Sequence, residues 1–172
     1  MKNIILTGFM GTGKTVIGKI LAEKLKRQRL CLDDMIQWKT GKPIAEIFKD
    51  NGEGYFRKIE SQMVAAAAKD KNVIIDAGGG AIINEDNLKR LKERGVIFCL
   101  TASVDAIIQR TSRTNDRPLL NVTDPKAKIE QLLNEREKFY KRADHILDTT
   151  NLTPEEAAQK IIEYMASLEK VL

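Results

Sequence analysis

The sequence predicts an α/β fold in three layers, with helices on both faces of a central parallel sheet of five strands. Three observations predict it. Short apolar runs alternate with amphipathic segments from end to end; the first run, Ile4-Ile5-Leu6, leads into Gly8-Phe9-Met10-Gly11-Thr12-Gly13-Lys14-Thr15; and an amphipathic segment follows at once. The glycine-rich stretch satisfies G-x-x-x-x-G-K-[ST] in the strand-to-helix context that the pattern requires, so it reads as a phosphate-binding P-loop. Its glycines let successive N–H groups turn toward phosphate oxygens, Lys14 adds a full positive charge, and Thr15 offers a hydroxyl to the magnesium ion that accompanies a nucleoside triphosphate. Gly11, Thr12, Gly13, Lys14, Thr15 and Val16 are the expected nucleotide-binding residues.

The elements follow in order. Asn3 to Thr7 is the first strand, and a helix from Lys14 to about Lys26 carries Val16, Ile17, Ile20, Leu21 and Leu25 as its apolar stripe. A strand at Leu30 to Leu32 delivers Asp33 and Asp34 to the edge of the sheet where ligands bind in open α/β folds. Helical segments at Met35 to Thr40 and Ile44 to Phe48 come next, and Asn51-Gly52-Glu53-Gly54 opens a longer helix that runs to Ala68. With few strands of its own, the region of about 33–60 reads as a substrate-binding subregion. Val73 to Asp76 is the third strand, ending in Ala77-Gly78-Gly79-Gly80; a helix from Glu85 leads to the fourth, Val96 to Leu100, whose unbroken apolar character suits burial on both faces. After a helix from Val104 to Thr111, the polar stretch of about 112–123 has few apolar anchors and is expected to be a mobile lid. Pro125 begins a charged helix to about Arg142, Asp144 to Asp148 is the fifth strand, and Thr153-Pro154-Glu155-Glu156 starts the last helix with Thr153 as N-cap.

Bulk properties narrow the class. The 172 residues fit one domain, 1–172, able to bury a continuous core without disulfides or metals. Lys and Arg number 29 against 24 Asp and Glu, and the resulting charge of +5 is dispersed, a mild bias toward anionic ligands rather than a nucleic-acid patch. Aromatic residues make up only 5%, too few for a base-stacking platform, so no nucleic-acid partner is expected. No run of about 18 apolar residues occurs, and no signal peptide is read at the start, so a cytoplasmic protein without a membrane partner is expected. Cys31 and Cys99 fall in or beside strand segments and read as two buried thiols. His145 and Trp38 read as structural.

A P-loop names a nucleotide, not an acceptor. Beyond it, the chain resembles the shikimate kinase family over nearly its whole length, through Asp33-x-x-Ile36, Gly52-Glu53-x-x-Phe56-Arg57-x-x-Glu60, Gly78-Gly79-Gly80, Arg117-Pro118-Leu119-Leu120 and Glu135-Arg136-x-x-x-Tyr140. The resemblance implies the P-loop kinase fold and transfer of the γ-phosphoryl of ATP, with Mg2+, to the 3-hydroxyl of shikimate in aromatic amino acid (chorismate) biosynthesis, and a monomer is expected. It also implies roles: Arg57 and Arg136 for the substrate carboxylate, Asp33 for the accepting hydroxyl, Gly78, Gly79 and Gly80 for backbone contacts to the ring, Lys14 and Arg117 on the transferring group, and Arg110 against the adenine, with Thr149 to Pro154 opposite. Each residue also has a plainer reading: Arg57 with Glu60 as a solvated helix pair, Asp33 as a helix cap, Arg117 as a loop residue, Arg136 as one charge among many, and the glycines as a tight turn.

The chain departs from the family at two places. The family's Asp-x-Asp becomes Cys31-x-Asp33 here, and a thiol suits magnesium poorly. Asp76, closing the apolar Val73-Ile74-Ile75, has the form of a Walker B acid and is expected, with Thr15, to serve the metal through water; its plainer reading is a cap on the glycine turn. Two other functions compete: a related P-loop kinase of another small hydroxy acid such as gluconate, and a nucleotide-binding regulatory protein that has lost turnover.

Overall fold

The computed structural model describes residues 1–111 and 123–169. Arg117 and all but the last residue of the expected lid lie outside the described residues.

Five strands, β1 (Asn3–Gly8), β2 (Arg29–Cys31), β3 (Ile74–Asp76), β4 (Gly95–Thr101) and β5 (His145–Asp148), form one sheet in the order β2-β3-β1-β4-β5, with every pairing parallel. Parallel neighbours require crossovers, and the helices supply them: α1 (Lys14–Leu25), α2 (Leu32–Thr40), α3 (Ile44–Ala67), α4 (Glu85–Arg94), α5 (Val104–Thr111), α6 (Pro125–Tyr140) and α7 (Pro154–Glu169). Alternation along the strands divides the core in two. Ile4, Leu6, Ile74 and Phe98 pack under α1 and α7, whereas Ile5, Ile75, Ile97 and Cys99 pack against Val64, Leu88, Ile107 and Ile129 from the helices of the opposite layer. A satellite cluster of Ile36, Ile47, Phe56 and Ile59 ties α2 to α3 and gives the 33–60 region its own small core.

The structure corrects several boundaries. β2 stops at Cys31, and Leu32, read above as a strand residue, opens α2 instead. Leu32 and Ile36 are four residues apart and both buried, so helical spacing puts them on one inward face. Asp33 therefore sits in the first turn of α2, with Cys31 as the N-cap residue. The two helices expected on either side of Asn51-Gly52 are both present: the span of α3 is broken at Gly52, whose φ of 77° and ψ of 174° are non-helical. Cys99 is buried as expected, but Cys31 is only half-buried. Trp38 is 89% exposed on α2, so a packing role for it is wrong. His145 does pack, edge-on to Phe98 and tilted over Tyr164. Thr153 caps α7 reciprocally: its Oγ1 accepts from the Glu156 N–H at 3.2 Å while the Glu156 carboxylate accepts from the Thr153 N–H at 2.8 Å. Among the described residues, no helix is long and apolar enough to cross a membrane.

Candidate active site

The carboxyl ends of β1 and β3 open into a cavity of about 570 Å³ that holds Gly11 to Val16, Cys31, Asp33, Asp76, Gly78, Gly79, Arg110 and Arg136. The P-loop builds one wall. Gly8, Gly11 and Gly13 take positive φ (130°, 77° and 94°), turning the backbone over the end of β1 into α1. The Lys14 ammonium lies in the ring so formed, donating to the Gly8 carbonyl at 2.8 Å and the Phe9 carbonyl at 2.7 Å. Thr12 is buried, its hydroxyl donating to the Phe9 carbonyl at 2.7 Å, so it braces the loop from within.

The other end of the cavity is held by Arg110. Its guanidinium donates to the Gly11 carbonyl (3.3 Å), to Thr149 through both Oγ1 (3.1 Å) and the carbonyl (2.7 Å), and to the Thr150 carbonyl (3.2 Å). Leu152, Thr153 and Pro154 continue that wall.

The glycine triplet after β3 sorts three side chains that are far apart in sequence. A Cβ at Gly78 would face Asp33 Oδ1 at 3.9 Å, one at Gly79 would lie 3.3 Å from Arg136 Nη1, and one at Gly80 would overlap the Arg57 guanidinium. Asp33, Arg136 and Arg57 thus surround one turn, in which space excludes a side chain at Gly79, 2.7 Å from the Gly8 carbonyl, and at Gly80, while the positive φ of 64° favours glycine at Gly78. The plainer readings fail in part. Arg57 does pair with Glu60 (2.8 Å) and Glu53 (3.1 Å), but Glu60 is 4% exposed, so the pair is a buried anchor rather than a solvated one. Burial pushes the Glu60 carboxyl up, and the Arg57 guanidinium only partly opposes it. Asp33 occupies the first turn of α2 rather than its cap position. Asp76 does not cap the glycine turn in any described hydrogen bond; it accepts from Thr15 Oγ1 at 3.2 Å and from Arg29 at 2.9 Å.

Sequence reasoning missed Glu60 as an anchor, Arg29 as the partner of Asp76, and the Thr149 hydroxyl as a link from Arg110 to the loop. Glu60 stood in a quoted motif, but its burial depends on the satellite core. Arg29 had one available signal: it is two residues before Cys31, hence on the same face of β2.

A phosphate-binding loop at the end of a parallel strand, with an acid and two arginines grouped beyond it, defines a P-loop kinase of small molecules. The family model described as shikimate kinase matches residues 10–166. A shikimate kinase of Thermodesulfovibrio yellowstonii is 48% identical over 163 residues, covering 95% of this chain and 94% of that one. The solved shikimate kinase from Acinetobacter baumannii in complex with shikimate superposes with a TM-score of 0.91 at 38% identity, covering 97% of this chain and 94% of its own. The chain belongs to the shikimate kinase family. A gluconokinase from Sinorhizobium meliloti also superposes, with a TM-score of 0.62 over 97% of this chain and 93% of its own, but at 14% identity that likeness shows the fold alone.

Proposed function

We infer that the protein is an ATP-dependent kinase that phosphorylates the 3-hydroxyl of shikimate, giving shikimate 3-phosphate in the biosynthesis of aromatic amino acids. The observation that carries this is the meeting of Asp33, Arg136 and Arg57 around Gly78 to Gly80, beside the P-loop cavity. Two guanidiniums suit a planar carboxylate, a carboxylate suits a ring hydroxyl, and bare backbone suits close approach of the ring.

In this reading Arg57 and Arg136 bind the carboxylate of shikimate and so fix which hydroxyl faces the nucleotide. Asp33 accepts a hydrogen bond from the 3-hydroxyl and takes its proton late, as the bond from that oxygen to Pγ forms and the bond from Pγ to the bridging oxygen of ADP breaks. Lys14 leaves its carbonyl partners for the β- and γ-phosphate oxygens and, with Arg117, spreads their negative charge. Arg110 and the Thr149 to Pro154 wall hold the adenine. Thr15 Oγ1, at the start of α1, and the Asp76 carboxylate, at the end of β3, are hard oxygen donors 3.2 Å apart that fit Mg2+, Thr15 directly and Asp76 through water. Bound there, magnesium would neutralise charge developing on the phosphates. Residues 1–172 act as one kinase domain, in which about 33–60 receives the acceptor. The enzyme is proposed to be a cytoplasmic monomer, and a single species near 19.4 kDa in gel filtration is the expected result.

Coupled detection of ADP with a panel of small hydroxy acids tests the function. ADP release is expected with shikimate and not with gluconate. Release with gluconate alone would favour the related kinase, and tight ATP binding without turnover on any acid would favour the regulatory reading.

Gly80→Ala tests the turn itself. Gly80 has φ −100°, open to any residue, so its effect comes from the overlap with Arg57 and not from backbone strain. KM for shikimate is expected to rise about tenfold with the affinity for ATP unchanged, as one charge-assisted contact is displaced.

A further inference from the structure

Cys31 and Asp76 are register partners across β2 and β3, so their side chains occupy adjacent positions on the same sheet face, toward α1. From β2, this position offers a thiol that burial pushes up to about 11, hence neutral; from β3 it offers a carboxylate. That carboxylate is not alone. Arg29, two residues before Cys31, reaches Asp76 Oδ2 at 2.9 Å, with the two side chains 15% and 5% exposed. Room for the guanidinium depends on Gly18 of α1, where a Cβ would stand 3.2 Å from Arg29 Nε. Arg29 Nε is buried without a hydrogen-bond partner, so the structure accepts a polar cost to keep this cation here. The described hydrogen bonds to Asp76, from Thr15 and Arg29, both fall on Oδ2 and none falls on Oδ1, and Asp76 lines the cavity. Among the described residues, no three His, Cys, Asp or Glu side chains gather as a metal site.

We propose that Asp76 and Arg29 act as one unit: the carboxylate accepts from a magnesium-bound water, and the guanidinium offsets its charge so that a divalent cation is held only together with nucleotide phosphates. The physical reason is electrostatic. A lone carboxylate in a half-closed cavity attracts a divalent cation by itself; paired with a fixed monovalent cation a few ångströms away, it presents almost no net charge, and phosphate oxygens must supply the rest. The enzyme then takes up metal and nucleotide together and keeps no cation when the nucleotide leaves. This rests on the reading of the site as a magnesium-assisted kinase.

Mn2+ is the probe, followed by the loss of its free-ion signal in electron paramagnetic resonance, with ADP affinity measured separately by calorimetry. The parent enzyme is expected to bind Mn2+ with ADP present and not without it. Asp76→Asn should weaken Mn2+ binding in the ADP complex roughly tenfold, and Asp76→Asn combined with Cys31→Asp should restore it, because the acid returns from the register-matched position. Arg29→Met should strengthen Mn2+ binding roughly tenfold and create binding without ADP, whereas Arg29→Lys, which keeps the charge, should not. Unchanged Mn2+ affinity in Asp76→Asn overturns the role of the carboxylate. Unchanged or weaker affinity in Arg29→Met overturns the role of the guanidinium, and should that variant fail to fold, nucleotide-free Mn2+ binding by the parent enzyme overturns it as well. Failure of the parent to bind ADP at all would instead count against the kinase reading.

Discussion

Lys14→Met is expected to lower turnover about a thousandfold, the largest effect of any single substitution in the chain. The methionine side chain is similar in length, so the change removes charge and donors with little change in volume. Two losses combine. The phosphates lose the ammonium that moves with the transferring group, and the loop loses the bonds from Nζ to the Gly8 and Phe9 carbonyls that hold it in a ring. Single-turnover rates separate these effects: a charge lost from the transition state slows the chemical step at saturating ATP, whereas a slackened loop chiefly weakens ATP binding. A fall of less than about tenfold in the chemical step would mean that Lys14 serves the loop alone.

Arg136→Ala should raise KM for shikimate about a hundredfold and leave the affinity for ATP nearly intact. Arg136 approaches the site from α6, its guanidinium 5.5 Å above the centre of the Phe9 ring and beside Gly79. Its described link to the P-loop is that contact with the buried Phe9 ring and not a hydrogen bond to the loop, so its removal should disturb the phosphate end little. The contrast with Arg57 is informative, since Arg57 is already engaged by Glu60 and Glu53. Steady-state kinetics with each substrate varied in turn provide the check. A loss confined to ATP would contradict the assignment.

The layers of the fold were legible because apolar runs and helical stripes are local: Ile4-Ile5-Leu6 and Val96 to Leu100 appear in the sheet where their patterning puts them. Leu32 was misread because a single apolar residue after two strand residues has no period of its own; its partner in burial, Ile36, lies one helical turn away. The P-loop was legible for the same reason as the strands, being contiguous. Asp33 was legible locally as an acid at the ligand-binding edge of the sheet, but Arg57 and Arg136 only through the resemblance, because their meeting with Asp33 at the glycine triplet joins residues that no local pattern connects. Arg29 was legible only as a residue on the same strand face as Cys31, not as the partner of Asp76. Its role depends on which strand lies beside β2, and strand order is a property of the sheet and not of any segment.

The Arg110 clamp has a consequence for synthesis. It fastens the phosphate loop to Thr149 and Thr150, with Thr149 standing 137 residues after Thr12, a noncovalent latch whose halves leave the ribosome well apart in time. Until β5 and the residues after it have emerged, Arg110 has none of its partners on that side, and the loop lacks its outer wall. A nascent chain can therefore lay down β1 and α1 early without yet owning a finished nucleotide pocket, whose outer wall is completed only once Thr149 and Thr150 have emerged.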